Sequence, residues 1–310
     1  MKKQESVPLR FTSLAEAHRA LGLPAPLHPL ISLLRNAPPP RQGSGPPRQH
    51  VLSFYKVSFW PRQNRKLRYG QGHYDFEAGG LLFAAPGQLL GGTPAPEADD
   101  ACAHVTLLIH PDFLASYPLA KKIHEYGFFT YAANEALHVS EQEREVLLTL
   151  FRTMEAELAS RLDEFSQDVV IAQLDLLLTY ANRFYKRQFL TRKAVHHDLL
   201  QRLEATLAEC FRPERLPEQG IPTVQHLAEQ LHVSPSYLSD LLRTLTGQSA
   251  QQHIHAKLVE QAKEQLATTG QSVSEVAYAL GFEHSQSFSR FFKTKTTLSP
   301  VAFRRSFQLN

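Results

Sequence analysis

The chain has 310 residues, 43% of them apolar and 20% charged, with a formal net charge of +3, which is the make-up of a soluble globular protein with room for two cores. Its two cysteines, Cys102 and Cys210, stand far apart with no CxxC spacing, which argues against a disulfide framework and a zinc site. No apolar run approaches the ~18 residues of a membrane span, and the basic opening MKKQESVPLRF lacks the apolar stretch of a signal peptide, so no membrane contact and a cytoplasmic location are expected.

In chain order, residues 36–49 (NAPPPRQGSGPPRQ) are rich in Pro, Gly and Ser, so 1–49 reads as an N-terminal arm ending in a flexible segment. From 50 to 110 the pattern is strand-like: HVLSFYKVSFW, LLFAAPGQLL and AHVTLLIH, divided by turns such as Gly79-Gly80 and Pro86-Gly87. Near residue 111 the period changes. Ser140 and Glu143 form a capping box before an apolar stripe of Val146, Leu147, Leu150, Phe151, Met154, Leu158 and Leu162. A second predicted helix, about 166–188, carries Val170, Leu174, Leu177, Leu178, Ala181 and Tyr185 on one stripe. Such stripes are either core or a contact between two copies of the chain.

From 196 onward everything reads as helix. PEQGIPT (217–223) breaks the chain, Ser249 with Gln252 caps a helix bearing Ile254, Leu258, Ala262 and Leu266, and Ser272 with Glu275 caps the next. Ser299-Pro300 opens a last helix. The segment 196–310 is neutral in sum, yet 285–310 holds Arg290, Lys293, Lys295, Arg304 and Arg305 and no carboxylate, a local cationic patch that suits a polyanion.

Sliding the chain against itself by 49 residues sets Val224, Leu227, Ala228, Leu231 and Val233 on Val273, Val276, Ala277, Leu280 and Phe282. With one residue inserted, Leu238, Leu241, Leu242 and Arg243 fall on Phe288, Phe291, Phe292 and Lys293. Each copy predicts a short helix with a small inner alanine, a tight turn and a second helix, the pattern of a helix-turn-helix. The intervening helix of 249–268 would be about 30 Å long, close to the ~34 Å between successive major grooves on one duplex face. Within 285–293 the aromatics face inward, while small hydroxyls permit close approach to a groove and Gln286 and Arg290 reach base edges. Lys293, Lys295, Arg304 and Arg305 suit phosphates.

At these residues the chain resembles the arabinose-regulator (AraC/XylS) family of bacterial transcription factors. The resemblance covers about 205–307 and rests on LAEQLHVSPSYLSDLLRTLTG (227–247), QQHIHAKLVEQAKEQL (251–266) and SVSEVAYALGFEHSQSFSRFFKTKTTLSPVAFR (272–304). It implies a seven-helix DNA-binding module with two helix-turn-helix units. The first recognition helix then presents Ser234, Ser236, Tyr237, Ser239, Asp240 and Arg243, and the second Ser285, Gln286, Ser287 and Arg290, with Lys293 and Lys295 on phosphates. Asp240 departs from the pattern, standing where many relatives have a cation or amide; it could accept from a cytosine amino group or pair with Arg243.

More loosely, 50–110 resembles the cupin (jelly-roll) sensor of such regulators, through EAGGLLFAAPGQLL (77–90) and LLIHPDFL (107–114). The expectation is therefore an α+β chain: an arm (1–49), a cupin-like β-barrel that binds an effector (50–139), a helical dimerising linker (140–195) and an all-α DNA-binding domain with two helix-turn-helix units (196–310). Expected partners are double-stranded DNA, a small-molecule effector, RNA polymerase and a second copy of the chain, with activation as the expected role.

Two rivals remain open. A regulator whose N-terminal domain only dimerises fits the same composition. A cupin enzyme would need a metal held by two histidines, a glutamate and a later histidine. Here His73-Tyr74-Asp75-Phe76-Glu77 supplies one histidine where two are wanted, leaving His104 or His110 to complete the set. With no phosphate loop, nucleophile elbow or HExxH, no catalytic residue, cofactor or metal is expected. The candidate effector-pocket residues are Phe54, Trp60, Tyr69, His73, Tyr74 and His104, of which strand alternation turns only half inward.

Overall fold

The computed structural model describes residues 8–20, 22–35, 50–60, 67–69, 72–74, 79–90, 104–132, 135–160, 163–191 and 193–308. The chain divides into two compact units, Met1–Gln188 and Phe189–Asn310.

The first unit opens with β1 (Leu9–Phe11), α1 (Leu14–Ala20) and β2 (Ile31–Arg35), then β3 (His50–Leu52), β4 (Tyr55–Trp60), β5 (Leu67–Tyr69), β6 (Gly72–Tyr74), β7 (Gly80–Ala84), β8 (Leu89–Leu90) and β9 (Val105–Ile109). It continues through α2 (Pro111–Leu114), α3 (Leu119–Lys122), β10 (Leu137–His138), α4 (Glu141–Ala159) and α5 (Ser166–Thr191). The region read as an arm thus contributes two strands and a helix. β1 pairs in parallel with β3, and β2 edges the main sheet against β9. Leu14 and Ala17 of α1 enter a core cluster with Leu52, Phe54 and Leu108. The Pro-rich stretch 36–49 lies outside the described residues.

The expected cupin-like barrel is not confirmed among the described residues. The described strands form three sheets, ordered β1-β3-β8, β10-β7-β4-β9-β2 and β5-β6, and these do not close on one another. The apolar run HVLSFYKVSFW, read as one strand, breaks at Ser53-Phe54, where the chain passes from the first sheet to the second. The Ser53 amide donates to Phe11 O, and the Gly87 amide to Leu52 O, fixing that break. Phe54, fully buried there, is core and not a pocket wall.

One face of the five-stranded sheet carries Tyr55, Val57, Phe59, Leu81, Phe83, Leu107 and Ile109, all buried. The long helices cover it. Phe59 stacks on Phe151 of α4 at 5.5 Å, and Phe128 lies between Phe83 (4.5 Å) and Tyr185 of α5 (5.4 Å). The Arg35 guanidinium meets Glu155 at 2.7 Å, and Arg187 donates to Glu143 and to His138 O, tying α4 and α5 to strands and to each other. Ser140 and Glu143 make the predicted capping box. The stripes of α4 and α5 are accordingly core: Leu147, Phe151, Met154, Leu174, Leu177 and Leu178 have no exposed surface. Leu174 and Leu178 do not form a surface between two copies, because one chain buries them completely.

The second unit comprises α6 (Lys193–Cys210), the single-turn α7 (Leu216–Gln219), α8 (Val224–Leu231), α9 (Pro235–Thr246), α10 (Ala250–Thr268), α11 (Val273–Ala279), α12 (Ser285–Thr296) and α13 (Pro300–Gln308). α10 is the axle. Ala250, Ile254, Leu258, Ala262 and Leu266, four apart, are buried, and the helix packs against α8, α9, α11, α12 and α13. The sequence repeat is a repeat of backbone. Thr223 and Ser272 cap α8 and α11 through their hydroxyls. Left-handed residues His232 and Gly281 follow those helices 49 apart, and Gly247 and Thr297 end α9 and α12 50 apart. The buried alanines Ala228 and Ala277 sit at matching places, where a small side chain lets two helices cross closely.

Among the described residues no helix is long and apolar enough to cross a membrane, and no group of three or more His, Cys, Asp or Glu is gathered to hold a metal. Cys210 is half-buried and free; Cys102 lies outside the described residues.

Candidate nucleic-acid interface

α12 has two unlike faces because its aromatics recur at helical spacing. Phe288 and Phe292 are wholly buried; Phe288 meets Phe282 at 5.3 Å, and Phe292 meets Phe303 of α13 at 5.5 Å. Phe291 is only half-buried, edge-on to His255 (5.2 Å) and tilted against Phe282 (5.7 Å). Anchored this way, the helix turns Gln286, Ser287, Arg290, Lys293 and Lys295 outward, with Ser285 partly covered at its start. Among the described residues, the Arg290 and Lys293 side chains have no ion-pair or hydrogen-bond partner. His284 caps the helix without a side-chain bond, which leaves its first N–H groups for an outside acceptor.

α9 is built differently. Arg243 is exposed but pairs with Asp240 at 2.9 Å, the second of the two alternatives for that aspartate. Ser234 Oγ accepts from the Tyr237 amide as the helix cap, and the Tyr237 ring packs edge-on to Phe189 at 5.3 Å. Both side chains are half-buried and already hold a cap and a ring contact. Ser236 and Ser239 stay partly exposed. One copy thus presents unpaired cations and the other an internally neutralised pair. Arg304, read as a phosphate contact, instead donates to Leu266 O at 3.1 Å and ties α13 to the end of α10; Arg305 is exposed.

The effector-pocket residues fall on several elements. Phe54 is core, and Trp60 stacks on His104 with ring centroids 4.8 Å apart. Tyr69, His73 and Tyr74 lie in the paired strands β5 and β6, their side chains outside the description. Of the metal set, Glu77 also lies outside it, and His110 accepts from the Asp112 amide at the start of α2. A cavity of about 430 Å³ opens elsewhere in the unit, lined by Tyr55, Leu114, Ile123, His124, Tyr126 and Phe129 among others and by none of the six predicted residues. Lys56, Ser58 and Trp60 alternate in YKVSFW and share a sheet face.

Residues 227–306 match the family described as "Helix-turn-helix domain". The stretch is similar to an uncharacterized helix-turn-helix transcriptional regulator of Bacillus subtilis, YobQ, with 34% identity over 84 residues, 27% of this chain and 35% of that protein. It is similar as well to the arabinose operon regulatory protein of Salmonella typhimurium, with 36% identity over 81 residues, 26% of this chain and 29% of that protein. Among solved structures, the DNA-binding domain of AdpA in complex with a target DNA is 30% identical, with a TM-score of 0.30 over 34% of this chain and 93% of that one. The chain spans about a third of the length of the curated relatives it matches. Through this C-terminal module the chain is a helix-turn-helix protein. Within that class the module is of the AraC/XylS type.

Proposed function

We propose that the chain is a sequence-specific DNA-binding transcriptional regulator whose two helix pairs, α8–α9 and α11–α12, are helix-turn-helix units reading adjacent major grooves. The observation that carries this is α12: a helix fixed from behind by two buried rings, presenting Gln286, Ser287, Arg290 and Lys293 with no counter-charge paired to them among the described residues. Arginine and glutamine can pair with base edges, whereas lysines neutralise phosphates. At 19 residues α10 is ~28 Å long, a spacer of the order of one groove repeat. Selection of bound sequences from random duplex DNA with the full chain tests the reading. A recurrent motif is expected; recovery of unenriched sequence contradicts it.

The first unit is proposed to sense a small molecule and to dimerise. Since Leu174 and Leu178 are core, the contact falls on the opposite side of α5, where Val169 and Leu176 are seven residues apart and exposed, preceded by the exposed Phe165. Val169 and Leu176 stand one heptad apart, so both fall on one side of the helix and can meet a second copy together. Leu176→Glu with Val169→Glu is expected to convert a dimer to a folded monomer by light scattering at micromolar concentration. Leu174→Glu is expected to unfold the unit, because it places a carboxylate in a dry core. A wild-type monomer contradicts the proposal.

A further inference from the structure

The two helix pairs carry the same local bonds 50 residues apart, and they differ in charge where they coincide. Thr244 Oγ1 donates to Asp240 O and Thr294 Oγ1 to Arg290 O, each at 2.8 Å. Thr246 Oγ1 donates to Leu242 O and Thr296 Oγ1 to Phe292 O, again at 2.8 Å. With the left-handed ends Gly247 and Thr297, these bonds set α9 on α12 at an offset of 50. Asp240 then stands where α12 has Arg290, Arg243 where it has Lys293, and Ser236 where it has Gln286.

That exchange reverses the sign of the helix face. α12 bears Arg290, Lys293 and Lys295 and no carboxylate, whereas α9 bears one carboxylate and one guanidinium. On α9 the two neutralise each other, Arg243 Nη1 donating to Asp240 Oδ1 at 2.9 Å across one turn. Asp240 stays within reach of an outside partner, because its side chain keeps 31% of its surface exposed. The Arg243 bond takes one of a carboxylate's roughly four acceptor positions. A carboxylate brought to a duplex is repelled by the phosphates and is tolerated in the major groove where a base offers it a donor. The donors there are the amino groups of cytosine and adenine. Adenine sets its amino group beside the N7 acceptor, a second negative edge; cytosine carries no acceptor on that edge.

We propose that Asp240 determines the sequence preference of the first helix-turn-helix unit: it selects a cytosine at the place in its half-site where Arg290 of the second unit selects a guanine. The proposal rests on the reading of α9 and α12 as the two recognition helices. Arg243 is the positioning residue, holding the carboxylate in place and screening it until a cytosine amino group shares it. Held there, Arg243 is withdrawn from the phosphates that Lys293 can reach from the matching place in α12. The first unit therefore adds discrimination and little affinity, and the second adds both. The two half-sites are unlike, although the backbone that reads them repeats.

Asp240→Ala, Asp240→Asn and Arg290→Ala in the full chain, bound to the selected site, its single-base variants and a random duplex, test this, with melting temperature as the check that each variant is folded. The wild type is expected to prefer cytosine at one position by roughly tenfold. Asp240→Ala should lose that preference alone and bind the random duplex more tightly, because Arg243 is released to a phosphate. One added phosphate contact makes that gain grow about three- to fourfold as salt falls from about 200 to about 50 mM. Asp240→Asn should move the preference from cytosine to adenine, which an amide pairs through two bonds. The proposal is overturned if Asp240→Ala keeps the wild-type preference at every position, or if the position it relaxes is not a cytosine. Arg290→Ala separates the two claims. Where it relaxes a base and Asp240→Ala does not, the DNA-reading function stands and this role of Asp240 falls; where neither relaxes any base, both fall.

Discussion

Phe292→Ala is expected to unfold the second helix pair, costing about 3–5 kcal/mol in chemical denaturation of the C-terminal unit. The ring has no exposed surface and sits between Phe288 at 5.8 Å and Phe303 at 5.5 Å. Its removal leaves a cavity where α12, α13 and α10 meet, and helices anchored at both ends cannot collapse to fill it. DNA binding should fall for every sequence alike, since the presenting helix loses its support and not one base contact. Phe291→Ala, a substitution the sequence alone ranks equally, should cost markedly less, because that ring is already half in solvent. Equal costs for the two would show that α12 is rotated relative to this account.

Gly281→Ala should be the other severe change. Gly281 has φ +81°, and a Cβ there would lie 2.7 Å from the Leu216 carbonyl oxygen and 3.1 Å from Gly220 Cα. Both neighbours are backbone and cannot turn aside. Left-handed strain of ~1–2 kcal/mol adds to an overpacking term of ~1–3 kcal/mol, giving about 2–5 kcal/mol lost. His232, at the matching place in the first copy, adopts φ 58° with a full side chain. The backbone angle alone does not demand glycine; the close passage of α7 does. Gly247→Ala is the control: φ is +77° but nothing lies within 4 Å, so only the strain should be lost. Thermal unfolding of the two variants side by side checks this.

The two alanine variants also mark how far the sequence reaches. Repeat, caps and stripes in 196–310 were legible because each is a local signal: a serine three residues before a glutamate or glutamine, an apolar residue every fourth position, a glycine after a helix. The approach of α7 to Gly281 was not legible, since it joins residues more than 60 apart in sequence. In the N-terminal unit, β1 spans three residues and pairs in parallel with a strand some 40 residues on, which gives no local period to detect. The helix stripes were legible as apolar, but not which partner they meet: Phe59 of β4 meets Phe151 of α4, and Phe83 of β7 meets Tyr185 of α5. Residues of the candidate interface divided the same way. Gln286, Ser287 and Arg290 stand where the helical spacing puts them, whereas Ser234, Tyr237 and Arg304 are claimed by a cap, a ring contact and a carbonyl that the spacing does not reveal.

Affinity of Arg290→Ala and Lys295→Ala for the selected DNA site, for single-base variants of that site and over a range of salt tests the central claim most directly. Arg290→Ala is expected to lose about 1–3 kcal/mol on the selected site and to relax preference at one base position, as loss of a bidentate contact to guanine does. Lys295→Ala should weaken all sequences about equally and reduce the salt slope by about one. Binding of every site by Arg290→Ala with wild-type affinity would contradict the account, leaving α12 as a solvated surface and not the element that reads DNA.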